Sequence, residues 1–504
     1  MLLRRRDLLF VPAAPMLAVS GRPEVTAATA GDVTPGQALI WARADRASRM
    51  TVRWRTGSGP VETIVGPYCL ETTDFTGRVN LAGLPAGQQI SYEVEFQDLR
   101  SPRAVSEPAK GSFRTPGARR NVRFLWSGDM VGQGWGINPD RGGITIFETM
   151  RRREPDFFLH SGDTIYADGP VPAEVKLTDG SVWRNVTTPE KSKAAETLDE
   201  FRGAYRYNLL DTNVRKFGLD VPQVWQWDDH EVTNNWSPSK DLSADSKYTM
   251  KDLDLLVARG QRAFLEYAPI RYSNMEADRV YRHIPYGPLL DVFVIDLRSH
   301  RGPNTHNMQT MLSAETDFLG ARQIAWLKQG LRESRAVWKV IASDMPIGLH
   351  VPDGRDAEGR PRWEASANGD NGPALGRELE IAEVLRFIKR QKIRNTVWLT
   401  ADVHYTAAHY YDPAKARFTD FNPFWEFVSG PLNAGTFGPG QKDLTFGLEA
   451  VFEKAPPKGQ SNLPPSAGLQ FFGEVEIDAR TRAMTVTLRD MTGAGLFTKT
   501  LPPA

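Results

Sequence analysis

Five strand-like apolar runs end in acid. "VRFLWSGD" closes on Asp129, "DFFLHSGD" on Asp163, "VPQVWQWDD" on Asp228 and Asp229, "AVWKVIASD" on Asp344, and "NTVWLTADVH" on Asp402 with His404 two residues on. One acid after a strand is ordinary, because Asp favours turns. Its repetition constrains the fold. Strands alternating with amphipathic segments predict an α/β sheet covered on both faces, and in such a sheet the strand ends share a rim where residues distant in sequence converge. Acids gathered there repel one another and lose hydration, so they need a cation or they take up protons. Carboxylates, an imidazole and a phenolate suit hard or borderline cations such as Fe, Mn, Ca or Zn.

The rest of the chain frames this region. Helical periodicity predicts helices at Leu253 to Tyr267, Ala321 to Glu333 and Arg377 to Lys392, with another in "ITIFETMRRREP". Before it, residues 24–117 show short alternating runs and turns with no helical stretch, which predicts an immunoglobulin- or fibronectin-like β-sandwich, joined by "TPGARRN" to a domain spanning 118–504. Alternation returns from Gln470 to Leu501 and predicts a hairpin on a sheet edge. Residues 1–23, with Arg4 to Arg6 before a modest apolar stretch, have the form of a twin-arginine leader. The expectation is therefore export by the Tat machinery, to the periplasm or outside the cell. A single cysteine, Cys69, allows no intrachain disulfide, which by itself suits either the cytosol or a protein exported already folded. Sixty-two basic against sixty-one acidic residues exclude a global attraction to nucleic acid, and no apolar run is long enough to serve as a transmembrane anchor.

Spacing sharpens the rim. Tyr166 follows Asp163 by three residues in "GDTIY", so one loop can turn both oxygens to one metal, and a bridging Asp163 would hold two metals about 3.5–4 Å apart. In "WDDHEVTNNW", Asp229 precedes His230, whose expected task is to protonate a leaving oxygen or to hold phosphate, with Glu231 fixing its ring. Arg298, in "VIDLRSHRGPN", has two readings: a bidentate phosphate clamp, or an ion pair with a neighbouring acid. His160 lies inside a strand and reads as a core histidine, and Asp168 reads as a turn residue or a support behind the ligands. "GQGWGINPDRGG" lacks the Walker lysine and reads as a loop beside the metals.

The order "GD", "GDxxY", "DDHE" and "ADVH" resembles the calcineurin-like metallophosphoesterases, and "SGDTIYAD", "WDDHEVTNNW" and "TADVHYTA" are similar to the PhoD-type alkaline phosphatase and phosphodiesterase family. The likeness runs from Asn121 to about Gly430, and "GDVTPGQALIWAR" resembles that family's N-terminal domain. The resemblance implies a four-layer α/β/β/α sandwich and a dinuclear site. Asp129, Asp163, Tyr166 and His404 would surround ferric iron; Asp229, Asp402 and Asn234 or Asn235 would hold calcium, with Mn, Mg or Zn as other occupants. It implies hydrolysis of small or polymeric phosphate mono- or diesters by a metal-activated hydroxide. Where such proteins carry Ser-Cys-Gln, this chain has Ser127-Gly128-Asp129, which makes the first site harder. An exported binding or adhesion protein without turnover is the alternative.

Overall fold

The computed structural model describes residues 21–504; residues 1–20, the greater part of the expected leader, lie outside them. Two mixed sheets face each other. The first has nine strands and is centred on three parallel ones, Val122–Ser127, Phe157–Ser161 and Gln223–Gln226. The second has seven, centred on Leu290–Val294, Trp338–Ala342, Thr396–Thr400 and Phe424–Val428, again parallel.

Alternation along each strand assigns its two faces. Phe124, Trp126, Phe157, Leu159, Val292, Val340 and Leu399 point into the core between the sheets. Leu125 and Phe158 pack outward beneath Ile146–Arg151 and Thr212–Asp220, whereas Phe293, Ile341 and Trp398 pack outward beneath Ala321–Glu333 and Glu378–Arg390. The result is helix, sheet, sheet, helix, with apolar side chains buried on both faces of every central strand. Leu198–Asn208, started by a capping box between Thr197 and Glu200, and Leu253–Tyr267 add a further core beside the first sheet.

Two features differ from the sequence expectations. The C-terminal segment is not a hairpin but three strands, Phe471–Ile477, Met484–Asp490 and Gly495–Leu501, continuing the nine-stranded sheet from Val122–Ser127. The β-rich N-terminal module is also built into the sheet. Its strands Val25–Thr34, Gln37–Ala44 and Thr76–Ala82 extend the opposite side, with Gly31 paired to Gln223, while four more strands form its second layer. A buried Arg282–Asp32 ion pair of 2.8 Å and the Trp41 indole N–H, donating to the Glu266 carbonyl at 2.8 Å, tie the module down. An open sheet edge seeks a partner, and each end of the central sheet has found one.

Candidate metal centre

The parallel strands stop together and their chains turn sharply. Asp129, Asp163, Asp402 and His404 all have left-handed backbones, with φ of 64°, 52°, 65° and 59°. Asp tolerates that region better than most residues and His only at some cost, so the surrounding structure must impose it. Glycines make room. A Cβ on Gly162 would lie 2.5 Å from Asp228 Cβ, and one on Gly430 would lie 2.1 Å from Asp129 Oδ2. The Leu432 N–H donates to the carbonyls of Gly128 and Asp129, and the Trp126 indole to that of Thr400, so the rims of the two sheets meet here.

Among the described residues, three sets of ligand-type atoms lie within 4.8 Å of one another: Asp129, Asp163 and His404; Asp163, Asp229 and His230; Asp228, Asp229 and Asp402. Asp163 belongs to two of them, the placement a bridge requires. Burial, and after it repulsion from Asp228 and Asp229, pushes the carboxyls of Asp129, Asp163 and Asp402 well above the ordinary range. Asp129 is fully buried and neither of its oxygens has a hydrogen-bond partner. A buried, unpaired carboxylate is too costly to leave so, and a multivalent cation answers both the orphan oxygens and the repulsion.

His404 is arranged as a ligand. Its Nδ1 is hydrogen-bonded to the Gly435 carbonyl, so Nδ1 carries the proton and Nε2 keeps its lone pair. Nε2 lies 2.8 Å from the Tyr166 hydroxyl and 3.7 Å from Asp129 Oδ1, and burial lowers the imidazole to about 4, keeping it neutral. The Tyr166 loop is pinned by the buried Lys191 ammonium, which donates to the carbonyls of Tyr166 and Gly169 at 2.6 and 2.7 Å. The residues present thus fit a first metal at Asp129, Asp163, Tyr166 and His404, and a second at Asp229 and Asp402. Both asparagines line the cleft: Asn234 is exposed, and Asn235 is half-buried, its side-chain amide donating to Pro352 and Asp353 in a neighbouring hairpin.

His230 packs against Tyr166, with ring centroids 4.2 Å apart and planes tilted by 31°. Its partner is Asp168 and not Glu231: Nδ1 meets Asp168 Oδ1 at 2.6 Å, and Asp168 Oδ2 accepts the Asn234 N–H at 3.0 Å. Burial opposes the charge, but Asp168 and Asp229 raise the imidazole to about 9. Glu231 instead accepts from the backbone of Asp163, Thr164 and Asp228 and from the Thr164 hydroxyl, at 2.6–3.2 Å. It ties two strand ends together, a task the adjacency of His230 and Glu231 in the sequence had hidden.

Arg298 takes the second of its two readings. The guanidinium is fully buried, donates to Asp228 Oδ1 at 2.7 Å and to Glu364, and lies 3.6 Å from Asp344 Oδ2, so it faces the protein's own acids and not the cleft. Asp344 is buried with no hydrogen-bond partner for its oxygens, only the more distant Arg298 charge, and lies outside the three sets. His160 is buried in its strand with neither ring nitrogen partnered, and burial lowers it to about 3. The cleft over the acids has a volume of about 390 Å³, and Gln133, His350, Glu364 and Phe437 line it as well. The loop that begins near Gln133 was legible as one beside the metals, but His350, Glu364 and Phe437 were missed as cleft lining because they sit on irregular chain with no periodic signal.

Comparison with known proteins agrees with this geometry. A family model described as PhoD-like phosphatase matches residues 124–488, and one for the N-terminal domain of PhoD-like phosphatases matches 14–117. Alkaline phosphatase D of Bacillus subtilis (strain 168) is 27% identical over 317 residues, 59% of this chain and 50% of that protein; the chain thus spans about half the length of this curated relative. A solved structure of PhoD superposes with a TM-score of 0.68 at 20% identity, covering 96% of this chain and 90% of the other. A purple acid phosphatase, PPD1, from yellow lupin (Lupinus luteus) seeds gives 0.57 at 11% identity, covering 96% and 74%. At these identities the two structures speak for the shared fold.

Proposed function

As the chain belongs to the PhoD-like phosphatase family, we propose that it is an exported, metal-dependent hydrolase of phosphate mono- or diesters, with its reaction centre at the shared rim. The observation that carries this reading is Asp163, shared between two ligand sets beside an Asp129 with both oxygens unpartnered. Asp129, Asp163, Tyr166 and His404 would hold ferric iron, since carboxylates, a phenol and an imidazole make a hard to borderline set. Asp229, Asp402 and Asn234, all oxygen donors, would hold calcium. When bound, the metals neutralise phosphate oxygens and acidify water so that it can attack phosphorus. Export rests on the leader with Arg4 to Arg6.

The chain's own part is proton control. Asp168 holds His230 by Nδ1, which leaves Nε2 to protonate the departing oxygen. Asp168→Asn is expected to lower kcat about 10- to 100-fold with metal content unchanged. Alkyl esters should lose more than 4-nitrophenyl esters, whose leaving group needs no proton. Equal losses on both would remove His230 from the acid role.

Elemental analysis of protein purified without added metal should find iron and calcium. Two equal divalent ions would reassign the first site. Chelation should then lower the unfolding free energy by about 4 kcal/mol, the effect of a ligand present at roughly a thousand times its Kd. A stripped protein of unchanged stability would speak against a metal centre at these acids.

A further inference from the structure

The four apolar cores leave Phe437 out: among the described residues it packs against none of them. It is half-buried and lines the cleft, its ring 5.2 Å from that of His404 and tilted by 58°. An aromatic side chain carries a large apolar surface and gains stability by burying it, so one left outside every core and beside a reactive site calls for an occupant.

The surroundings hold it in place. The Phe437 N–H donates to the His404 carbonyl at 3.3 Å, and Thr436 bridges to Leu463. The next residue, Gly438, has φ of 85°, and a Cβ there would come 2.5 Å from the Tyr405 ring, so the chain passes only as glycine. Val351 and Val403 line the same cleft and are packed from beneath by the helix-covered core of the seven-stranded sheet.

Charge completes the picture. Asp163, Asp229, Glu364 and Asp402 line the cleft, and among the described residues no lysine or arginine does. A leaving group with further negative charges would find no lysine or arginine there to pair with them.

We propose that Phe437, with Val351 and Val403 in the same cleft lining, is the platform for the ester's leaving group, selecting uncharged aromatic alcohols over small alkyl and multiply charged ones. This inference rests on the phosphoester reading above. Phe437 acts on specificity and leaves the metals and the proton transfer to the residues already named.

The test uses the metal-loaded full chain and two non-hydrolysable probes, 2-phenylethylphosphonate and ethylphosphonate, titrated by calorimetry. The first is expected to bind about tenfold tighter, and Phe437→Ala to bring the ratio near one while Phe437→Trp keeps it. The kcat/KM ratio for the matching phosphate esters, whose alcohols have similar basicity, should follow, and methylenediphosphonate should bind weakly. Phe437→Leu with its metals retained serves if the alanine variant loses them. Turnover of both esters with a ratio that Phe437→Ala leaves unmoved overturns the platform and spares the hydrolase. Selective phosphonate binding without turnover of either ester overturns the hydrolase and spares the platform.

Discussion

Asp163→Asn is expected to abolish metal loading and to cut phosphoester hydrolysis by about 10³-fold or more. A bridging carboxylate serves both metals, and the charge neutralisation they provide contributes several kcal/mol, each 1.36 kcal/mol being tenfold in rate. The fold should survive the change. The Asn side-chain oxygen can still accept the His230 N–H that Asp163 accepts at 3.1 Å, and the substitution removes one charge from a crowd of buried acids. The metal-free variant should therefore be at least as stable as the metal-free parent while gaining nothing from added metal. Calorimetric unfolding with and without metal, beside aryl phosphate turnover, checks both halves. Full activity with a normal metal content would sink the bridging role.

The same crowding sets a pH dependence for the stripped protein. Asp129, Asp163 and Asp402 have folded-state pKa values raised above those of the unfolded chain, so the folded state binds more protons between the two. Their contribution is complete below the ordinary carboxylate pKa of about 4 and is lost as pH rises through the raised values. Metal-stripped protein should thus lose stability from about pH 4 upward, and Asp163→Asn should lose less.

Arg298→Met is expected to lower the unfolding free energy by about 3–5 kcal/mol, the cost of leaving a buried charge without its partner. Asp228 would lose its guanidinium partner, Asp344 the charge 3.6 Å away, and Glu364 would keep only Arg301 at 3.6 Å. Arg298→Lys should recover only part of the loss, since a point charge cannot serve two acids in the directions the guanidinium fork does. Urea unfolding measures this directly. If stability held and KM for phosphate esters rose instead, the residue would be a clamp in the cleft after all.

Arg298 shows how much was legible beforehand. Its position after a strand placed it near the rim, but clamp and ion pair differ only in which way the guanidinium faces. That depends on Asp228 and Glu364, which arrive from other parts of the chain. Asp168 is the reverse case. As one acid in a turn it carried little signal, yet the loop brings it to His230 Nδ1 and gives it the task that adjacency had suggested for Glu231.

The architecture divides along the same line. Period-two apolar patterns and flanking helical periods sufficed for the central strands and the helices beside them, because each is written within one segment, whereas the four layers were legible only through the family resemblance. The joining of Val25–Thr34 to Gln223–Gln226 was invisible, since it rests on a parallel pairing between segments far apart in sequence.

By itself, then, the sequence determined that strands would end in acids on a common rim and which residue types would gather there, because strand periodicity and turn chemistry are local. Only the tertiary structure decided that Asp163 stands between two ligand sets, that Asp168 holds His230, that Arg298 is sealed away and that Phe437 is left facing the cleft. Those outcomes are distances between loops, and they follow from how two sheets pack and from where irregular chain crosses the rim.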